Sequence, residues 1–266
     1  MKILGIDSSG MTASVALVAD DGLMAEFTIN NKRTHSETLL PMIDKLMNMA
    51  EVQPSELTAV AIAAGPGSFT GLRIGAATAK GLALALDIPI VPVPTLEGLA
   101  YNLAGEKRLV VSVMDARRNE VYAGAYDVEN NTSSQDSVDA NNAPESADAA
   151  DTDVDVLQND VIRTMIPETA LPVAELFDKL NELGREVIFV GDGIPVIKKN
   201  LEETGLNIPY SFASVQNERQ RGASIAALGK LYFEEGRAIN SDDFAPEYLR
   251  KSQAERVRDE SQPAAE

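Results

Sequence analysis

The most informative stretch of this sequence runs from Gly65 to Gly75 and reads GPGSFTGLRIG. It follows a short apolar run at 59–64 and precedes an alanine- and leucine-rich stretch that ends at Leu86. This order predicts a strand, a glycine-rich turn and a helix over 71–86. Such a turn places backbone N–H groups beside the positive end of a helix, where an anion can bind. The stretch lacks the Gly-Lys-Ser/Thr ending of a Walker A loop, and its glycine spacing differs from that of a dinucleotide-binding fingerprint.

The composition excludes several kinds of site. The sequence has no cysteine, which rules out disulfides, thiolate zinc sites and a cysteine nucleophile. The formal net charge of −18 argues against a nucleic-acid-binding surface, because such a surface needs clustered lysine and arginine. No apolar run approaches the length of a membrane span, and the N-terminus lacks a signal-peptide pattern. We therefore expect a cytoplasmic protein with no membrane association.

The negative charge is concentrated in one segment. Residues 127–160 contain ten acidic side chains and neither lysine nor arginine, which leaves 23 basic and 31 acidic residues in the rest of the chain. Asparagine, serine, aspartate and alanine dominate this segment, and such a composition buries too little apolar surface to offset the entropy of ordering. We predict an acidic low-complexity insertion at about 128–158, between two strands, and a flexible charged tail at 251–266.

The first half of the chain alternates strands and helices. The expected strands are 2–7, 13–19, 23–29, 59–64 and 88–92, and the expected helices are 35–50, 71–86 and one that starts at Thr95. Thr34 and Glu37 fit a capping box at the start of helix 35–50, although Pro41 would then interrupt that helix. The alternative is a start at Thr38, which places Pro41 in the first turn.

The second half repeats this order. Residues 109–115 resemble 1–7, since each is an apolar strand that ends in aspartate. Residues 120–126, 174–183 and 187–190 repeat a strand, a helix and a strand, and Gly191–Gly193 echoes Gly65–Gly67. An internal duplication of this kind predicts the α/β class, with two domains at 1–106 and 107–250, each a mixed sheet flanked by helices.

Two tandem copies with an aspartate closing the first strand of each resemble the sugar kinase/heat-shock ATPase/actin superfamily, whose fold is a duplicated actin-like, ribonuclease H-like fold. Within that superfamily the chain resembles the bacterial TsaB (YeaZ) family. The matching segments are 5–9, 33–41, 65–75 and 246–250. The resemblance spans nearly the full chain except the acidic insertion.

The resemblance implies a role in forming threonylcarbamoyladenosine in tRNAs that read codons beginning with adenine. The family member is a non-catalytic scaffold and activating partner, so no catalytic residue is expected in this chain. The implied partners are the catalytic paralogue TsaD, as a heterodimer, and the small ATPase TsaE, with a homodimer when the chain is alone. Transfer RNA would be reached only through the complex. No cofactor is firmly implied, although ATP or ADP could lie at the interface of the complex.

The histidine content agrees with a non-catalytic role. The resemblance implies that the catalytic paralogues hold a metal with two histidines four residues apart on the first helix, whereas this chain contains only His35. We therefore expect no metal site. Two enzyme classes are alternatives, an ATP-dependent kinase-like enzyme and a peptidase acting on the paralogue. The peptidase would have to use His35 with a nearby serine, and no Gly-x-Ser-x-Gly motif surrounds any candidate.

The position in the superfamily suggests a vestigial cofactor site. Its candidate residues are Asp7, Ser8, Thr12, Gly191 and Gly193. All five fall at predicted turns, and aspartate and glycine are also common turn formers, so a purely structural role is the favoured interpretation.

The two N-terminal helices are the predicted pairing surface. The candidate interface residues are Leu39, Met42, Ile43, Leu46, Met47, Gly71, Arg73, Gly75 and Ala79. Gly71, Gly75 and Ala79 recur every four residues, which lets another backbone approach that face closely. The methionines of helix 35–50 would make an adaptable contact surface. The alternative is that both sets pack against the protein's own sheet.

Overall fold

The computed structural model describes residues 1–31, 33–129 and 161–250. Apart from its first two residues, the predicted acidic insertion lies outside the described residues, as does the predicted tail at 251–266. None of the helices in the described ranges is long and apolar enough to cross a membrane.

The first sheet has five strands in the order β3-β2-β1-β4-β5. The strands are β1 (Lys2–Asp7), β2 (Thr12–Ala19), β3 (Gly22–Asn30), β4 (Ala59–Gly65) and β5 (Ile90–Pro94). Strands β1, β2 and β3 pair antiparallel, while β1, β4 and β5 run parallel, so the sheet is mixed. One face is covered by α1 (His35–Met49) and α2 (Phe69–Leu86), which share a hydrophobic core with that face.

The second sheet repeats this arrangement, in the order β10-β9-β6-β7-β8. The strands are β6 (Leu109–Arg117), β7 (Glu120–Val128), β8 (Ile162–Pro172), β9 (Val187–Val190) and β10 (Tyr210–Phe212). Strands β6, β7 and β8 pair antiparallel, and β6, β9 and β10 run parallel. Its outer face packs against α4 (Val173–Leu183) and α5 (Ile194–Thr204). The chain therefore has the predicted duplicated actin-like, ribonuclease H-like fold.

Two helices form a layer between the sheets, and each crosses to the opposite half. Helix α3 (Thr95–Ala100) ends the first half but packs through Leu96 and Leu99 on the inner face of the second sheet. Helix α6 (Gly222–Glu234) belongs to the second half, yet its Ile225 and Leu228 pack on the first sheet. The strands of the first sheet lie within 1–106 and those of the second within 107–250, while α6 of the second range packs on the first sheet.

Two element boundaries differ from the predictions. Helix α1 begins at His35, and Pro41 lies inside it, so the alternative start at Thr38 is wrong. Thr34 occupies the N-cap position, but its side chain makes no capping bond, and the predicted capping box is absent. Helix α2 ends at Leu86, and its C-cap residue Asp87 takes the left-handed conformation with φ 54°. Strand β5 then starts at Ile90, two residues later than expected.

Candidate functional site

A cleft of about 480 Å³ lies between the two domains. The first domain contributes the loop after β1 and the start of α2, and the second contributes the end of β6 and Asp192. The remaining wall is the C-terminal segment 247–250. Because β1 and β6 are equivalent strands of the two halves, the duplication brings their C-terminal ends to the same cleft.

Asp7 closes β1 beneath this cleft and is 1% exposed. Its Oδ1 accepts hydrogen bonds from the Ser9 backbone N–H at 2.9 Å and from the Ser9 hydroxyl at 2.6 Å. Burial raises the pKa of Asp7 to about 6, even though the Ser9 bonds favour the charged form. The carboxylate of Asp192 also raises it, which places the ends of the two halves within electrostatic range of each other.

Ser8 and Thr12 flank the same turn but differ in their side-chain hydrogen bonding. The Ser8 hydroxyl donates a 2.9 Å hydrogen bond to the Gly71 carbonyl and so ties the β1–β2 loop to α2. Thr12 is 1% exposed, and its hydroxyl has no hydrogen-bond partner in the described part of the chain. Ser8 is therefore a packing residue, while the Thr12 hydroxyl is a buried polar group that does not line the cleft.

The second half supplies a turn pressed against β6. A Cβ atom on Gly191 would lie 2.0 Å from the Val113 carbonyl oxygen, and one on Gly193 would lie 2.9 Å from the Val113 carbonyl carbon. These glycines are explained by this close approach, and they carry Asp192 to the cleft wall. Burial raises the pKa of Asp192, against the opposing effect of the Arg219 guanidinium.

None of the five predicted cofactor residues lines the cleft itself, although their neighbours Ser9, Gly10 and Asp192 do. The acidic lining was missed. Asp115, Asp192 and Glu247 all line the cleft, although none was chosen from the sequence. The aspartate that closes the first strand of each half was the signal that could have identified Asp115.

The glycine-rich turn mainly makes contacts with other segments of the same chain. The Ser68 N–H donates to the Ser9 carbonyl at 2.6 Å, and the Gly71 N–H donates to the Ser68 hydroxyl at 3.3 Å. Gly65 has φ 130°, and a Cβ there would lie 2.2 Å from the Glu247 carbonyl oxygen. The predicted anion cradle is thus mainly a junction that joins the β1–β2 loop, α2 and the C-terminal segment.

The C-terminal segment crosses the mouth of the cleft as a strap, residues 244–250. At one end, Tyr248 packs on Phe69 with 4.9 Å between ring centroids, and Arg73 lies 3.8 Å from the Phe69 centroid. The Arg73 Nε also donates to the Tyr248 hydroxyl at 3.2 Å. These contacts hold the strap on α2, and the sequence showed the segment only as part of the family resemblance.

The other end of the strap is anchored on the second domain. The Arg250 Nη1 donates to the Ala116 carbonyl at 2.7 Å and pairs with the Glu120 carboxylate at 2.7 Å. The strap therefore joins α2 of the first domain to the β6–β7 hairpin of the second.

His35, the only histidine, lies at the start of α1. Its Nε2 is 2.9 Å from the Gly10 carbonyl oxygen, so the ring holds the β1–β2 loop. Within the ranges described above, no group of three histidine, cysteine or acidic side chains is arranged to bind a metal ion.

The apolar stripe of α1 is buried inside the first domain. Leu39, Met42, Ile43, Leu46 and Met47 are each at most 6% exposed and belong to the core on the α1/α2 side of the first sheet. They pack against the chain's own sheet, so their assignment to a partner interface is corrected.

The predicted small-residue stripe of α2 also faces inward. A Cβ on Gly71 would lie 2.1 Å from the Ser8 carbonyl oxygen, and one on Gly75 would lie 2.3 Å from the Ser8 hydroxyl. Ala79 is fully buried. The four-residue spacing serves close packing of α2 on the β1–β2 loop, and of the four α2 candidates only Arg73 is exposed.

Other residues of the same two helices are open to solvent. Leu40 and Met49 on α1 are 56% and 66% exposed, and Leu84 on α2 is 71% exposed. Ala77 and Gly81 are also exposed, and a Cβ on Gly81 would meet no atom within 4 Å. Leu40 and Met49 are nine residues apart and lie on opposite sides of α1, whereas Ala77, Gly81 and Leu84 lie within about 60° of one another around the axis of α2. We call Ala77, Gly81 and Leu84 the helical face.

Comparisons with known proteins agree with this architecture. Residues 22–257 match the family model described as TsaD, tRNA N6-adenosine threonylcarbamoyltransferase. A Bacillus subtilis protein named tRNA threonylcarbamoyladenosine biosynthesis protein TsaB is 32% identical over 262 residues, which cover 98% of this chain and 100% of the relative. The Escherichia coli protein of the same name is 37% identical over 134 residues, which cover 49% of this chain and 57% of the relative.

Solved structures show the same fold. A Pseudomonas aeruginosa protein described as similar to peptidase YeaZ superposes with a TM-score of 0.71 at 25% identity, over 94% of this chain and 99% of that structure. A second structure, YeaZ from the same organism, superposes with a TM-score of 0.69 at 24% identity, over 93% and 99% of the two chains. The full-length identity to the Bacillus subtilis relative shows that this chain belongs to the TsaB family.

Proposed function

We propose that this chain takes part in the biosynthesis of threonylcarbamoyladenosine in tRNA, in the cytoplasm, as a non-catalytic subunit. In this proposal it pairs with the catalytic paralogue TsaD, and the ATPase TsaE joins the pair. The support is the full-length similarity to a relative named for this biosynthesis, and the match to a family model described as the threonylcarbamoyltransferase.

The helical face carries the pairing proposal. Leu84 is 71% exposed and lies beside the exposed Ala77 and Gly81 on one side of α2, and an apolar patch of this kind is typical of a surface that a partner covers. Ala77 and Gly81 lie one helical turn apart with open space above Gly81, so a partner helix can approach α2 closely. The same face would also pair with a second copy about a twofold axis, as expected for a homodimer of the isolated chain.

The non-catalytic part of the proposal rests on His35 and its surroundings. A pair of histidines four residues apart cannot form in this chain, because His35 is its single histidine, and Asn31 and Leu39 stand four residues before and after it. His35 itself is oriented by the Gly10 carbonyl. The residues that hold a metal in the paralogue therefore have no counterpart on this helix.

The cleft is poorly suited to a nucleotide on its own. Its lining holds three carboxylates, of Asp115, Asp192 and Glu247, and three guanidinium groups, of Arg117, Arg219 and Arg250, so it offers a phosphate group no net positive charge. The Ser68 N–H, which an anion at the glycine turn would need, is already bonded to Ser9. We propose that nucleotide binds only in the complex. Submicromolar binding of magnesium ATP to the isolated chain, measured by titration calorimetry, would contradict this.

Reconstitution tests the whole proposal. Purified chain, TsaD, TsaE, unmodified tRNA and the small-molecule precursors are combined, and each component is omitted in turn. We expect modification to fall to background without this chain and to be absent with this chain alone. Full modification without it would refute the proposed role, and turnover by the isolated chain would favour an enzyme.

A further inference from the structure

The tip of the β6–β7 hairpin has an unusual backbone. Arg117, Arg118 and Asn119 have φ of 67°, 57° and 62°, which places three consecutive non-glycine residues in the left-handed region. Each such residue costs roughly 1 kcal/mol relative to an ordinary conformation. The surrounding structure must therefore hold the tip in place.

Several contacts do so. The Asp115 Oδ1 accepts a hydrogen bond from the Arg117 N–H at 2.7 Å. Asn119 and Asn200, on α5, exchange two amide hydrogen bonds of 2.9 and 3.0 Å, and Asn200 is 5% exposed. The backbone of the tip is therefore held against α5 without any ligand. The side chains of Arg117 and Arg118 extend from this rigid backbone.

The side chains around the tip form a cationic cluster, which we define as Arg117, Arg118 and Lys199. All three residues are exposed and line a shallow hollow of about 370 Å³, whose other walls include Pro195 and Val196. Arg117 reaches the Asp115 carboxylate only at 3.4 Å with its side chain 81% exposed, and such a pair contributes little. Among the residues that the structure describes, Arg118 and Lys199 make no ion pair. The hollow is thus lined by three cations and one carboxylate, that of Asp115, and this positive balance contrasts with the −18 charge of the whole chain.

We propose that the cationic cluster binds phosphate groups of the tRNA backbone when the chain is part of its complex, an inference that rests on the proposed function. Guanidinium groups match phosphate geometry, and an exposed cluster without aromatic platforms suits backbone contacts rather than base recognition. Because the rest of the chain is acidic, the isolated chain should have little affinity for tRNA. In the complex, where the partners hold the tRNA, the cluster would help to orient it.

The experiment uses the complex of this chain with TsaD and TsaE. Its affinity for unmodified tRNA is measured by fluorescence anisotropy across a series of salt concentrations. The variants are Arg118→Glu/Lys199→Glu and the milder Arg118→Ala/Lys199→Ala. The matched control is Lys179→Glu, which reverses an exposed charge on α4, away from the hairpin.

We expect the double charge reversal to weaken tRNA binding about tenfold and to reduce the slope of log affinity against log salt by about 2. The alanine variant should lose less affinity for tRNA, and the Lys179→Glu control should show the affinity and the salt slope of the wild type. Unchanged affinity and slope in an intact complex would overturn the inference while leaving the proposed function standing. Loss of assembly with TsaD would also overturn it, because the cluster would then be a protein contact. Full modification without this chain would instead refute the proposed function.

Discussion

The Ser8 hydroxyl donates its hydrogen bond to the Gly71 carbonyl at 2.9 Å, and this contact fixes which side of α2 faces the protein. The small residues at 71, 75 and 79 lie beneath the β1–β2 loop, whereas Ala77 and Gly81 look outward. Two glycines on one helix therefore have opposite roles, which a matched pair of substitutions can separate.

Gly75→Ala should destabilise the isolated chain, and Gly81→Ala should stabilise it. Alanine gains up to about 1 kcal/mol over glycine inside a helix at either position. At position 75 the new methyl group would lie 2.3 Å from the Ser8 hydroxyl, and such overpacking costs roughly 1–3 kcal/mol. At position 81 it meets nothing within 4 Å. Urea unfolding measures both changes.

If Gly75→Ala instead raised the urea midpoint and Gly81→Ala lowered it, α2 would have to be rotated about its axis relative to this structure. A Gly75→Ala variant that keeps full stability but loses its partner would restore position 75 to the interface. Unchanged urea m-values are the control, because they show that the two-state comparison is valid.

Helix α2 also shows why the sequence predicted the two helices but not which of their residues are exposed. Helical periodicity and glycine placement establish that a helix exists, yet α2 carries two stripes of small residues, at 71, 75 and 79 and at 77 and 81. Only the position of the β1–β2 loop decides which is buried. In α1, the sequence pattern predicts a contact surface at the apolar stripe, which is buried, whereas Leu40 and Met49 beside it are exposed.

The cleft was predictable in part for a similar reason. The duplication placed Asp7 and Gly191–Gly193 at strand ends that meet, because equivalent strands of the two halves end at the same junction. The strap was missed because an extended segment held by Tyr248 and Arg250 has no periodicity. The crossing of α6 to the first sheet was missed because the apolar pattern of α6 indicates that the helix is buried but does not indicate which sheet it packs against.

Leu84→Glu should abolish pairing without harming the fold. Leu84 is 71% exposed in the isolated chain, so its replacement should change stability by less than about 0.5 kcal/mol. In a paired state the glutamate would be buried without a partner, and a central contact of this kind is worth about 2 kcal/mol or more, a weakening of at least 30-fold. Sedimentation and titration with TsaD measure the homodimer and the heterodimer.

Val215→Glu is the matched control, since Val215 is 84% exposed in the segment after β10 and away from the helical face. Equal affinities for both variants and the wild type would remove α2 from the proposed interface. An equal loss in both would point to a general charge effect.

Asp7→Asn should make the stability of the chain less sensitive to pH. Burial raises the pKa of Asp7 from 3.8 to about 6, so between these values the folded state holds a proton that the unfolded chain has released. The free energy of unfolding therefore falls as pH rises through this window, by up to about 3 kcal/mol, and stays lower above it. Asparagine carries no charge, and its amide oxygen can still accept the bonds from Ser9.

Denaturant unfolding at pH 4 and pH 8 measures the effect. The variant should match the wild type at pH 4 and exceed it at pH 8. Other buried acids, such as Glu168, whose pKa burial raises to about 8, act in both proteins and cancel in the difference. A difference that is the same at both pH values would mean that Asp7 keeps an ordinary pKa in the folded state.

Arg250→Ala should release the strap from the second domain. The substitution removes the bond to the Ala116 carbonyl and the partly buried pair with Glu120, at an expected cost of about 1 kcal/mol. The Glu247 N–H, which donates to the Ala64 carbonyl at 2.7 Å, should then exchange with solvent faster, because local opening of the strap becomes easier. Hydrogen exchange of peptides covering 244–250 measures this. Arg237→Ala, which removes an exposed pair with Glu235, is the control that should leave the strap unchanged. Equal exchange in Arg250→Ala and wild type would show that Phe69, Arg73 and Tyr248 alone hold the strap in place, and that the second domain is not coupled to α2 through it.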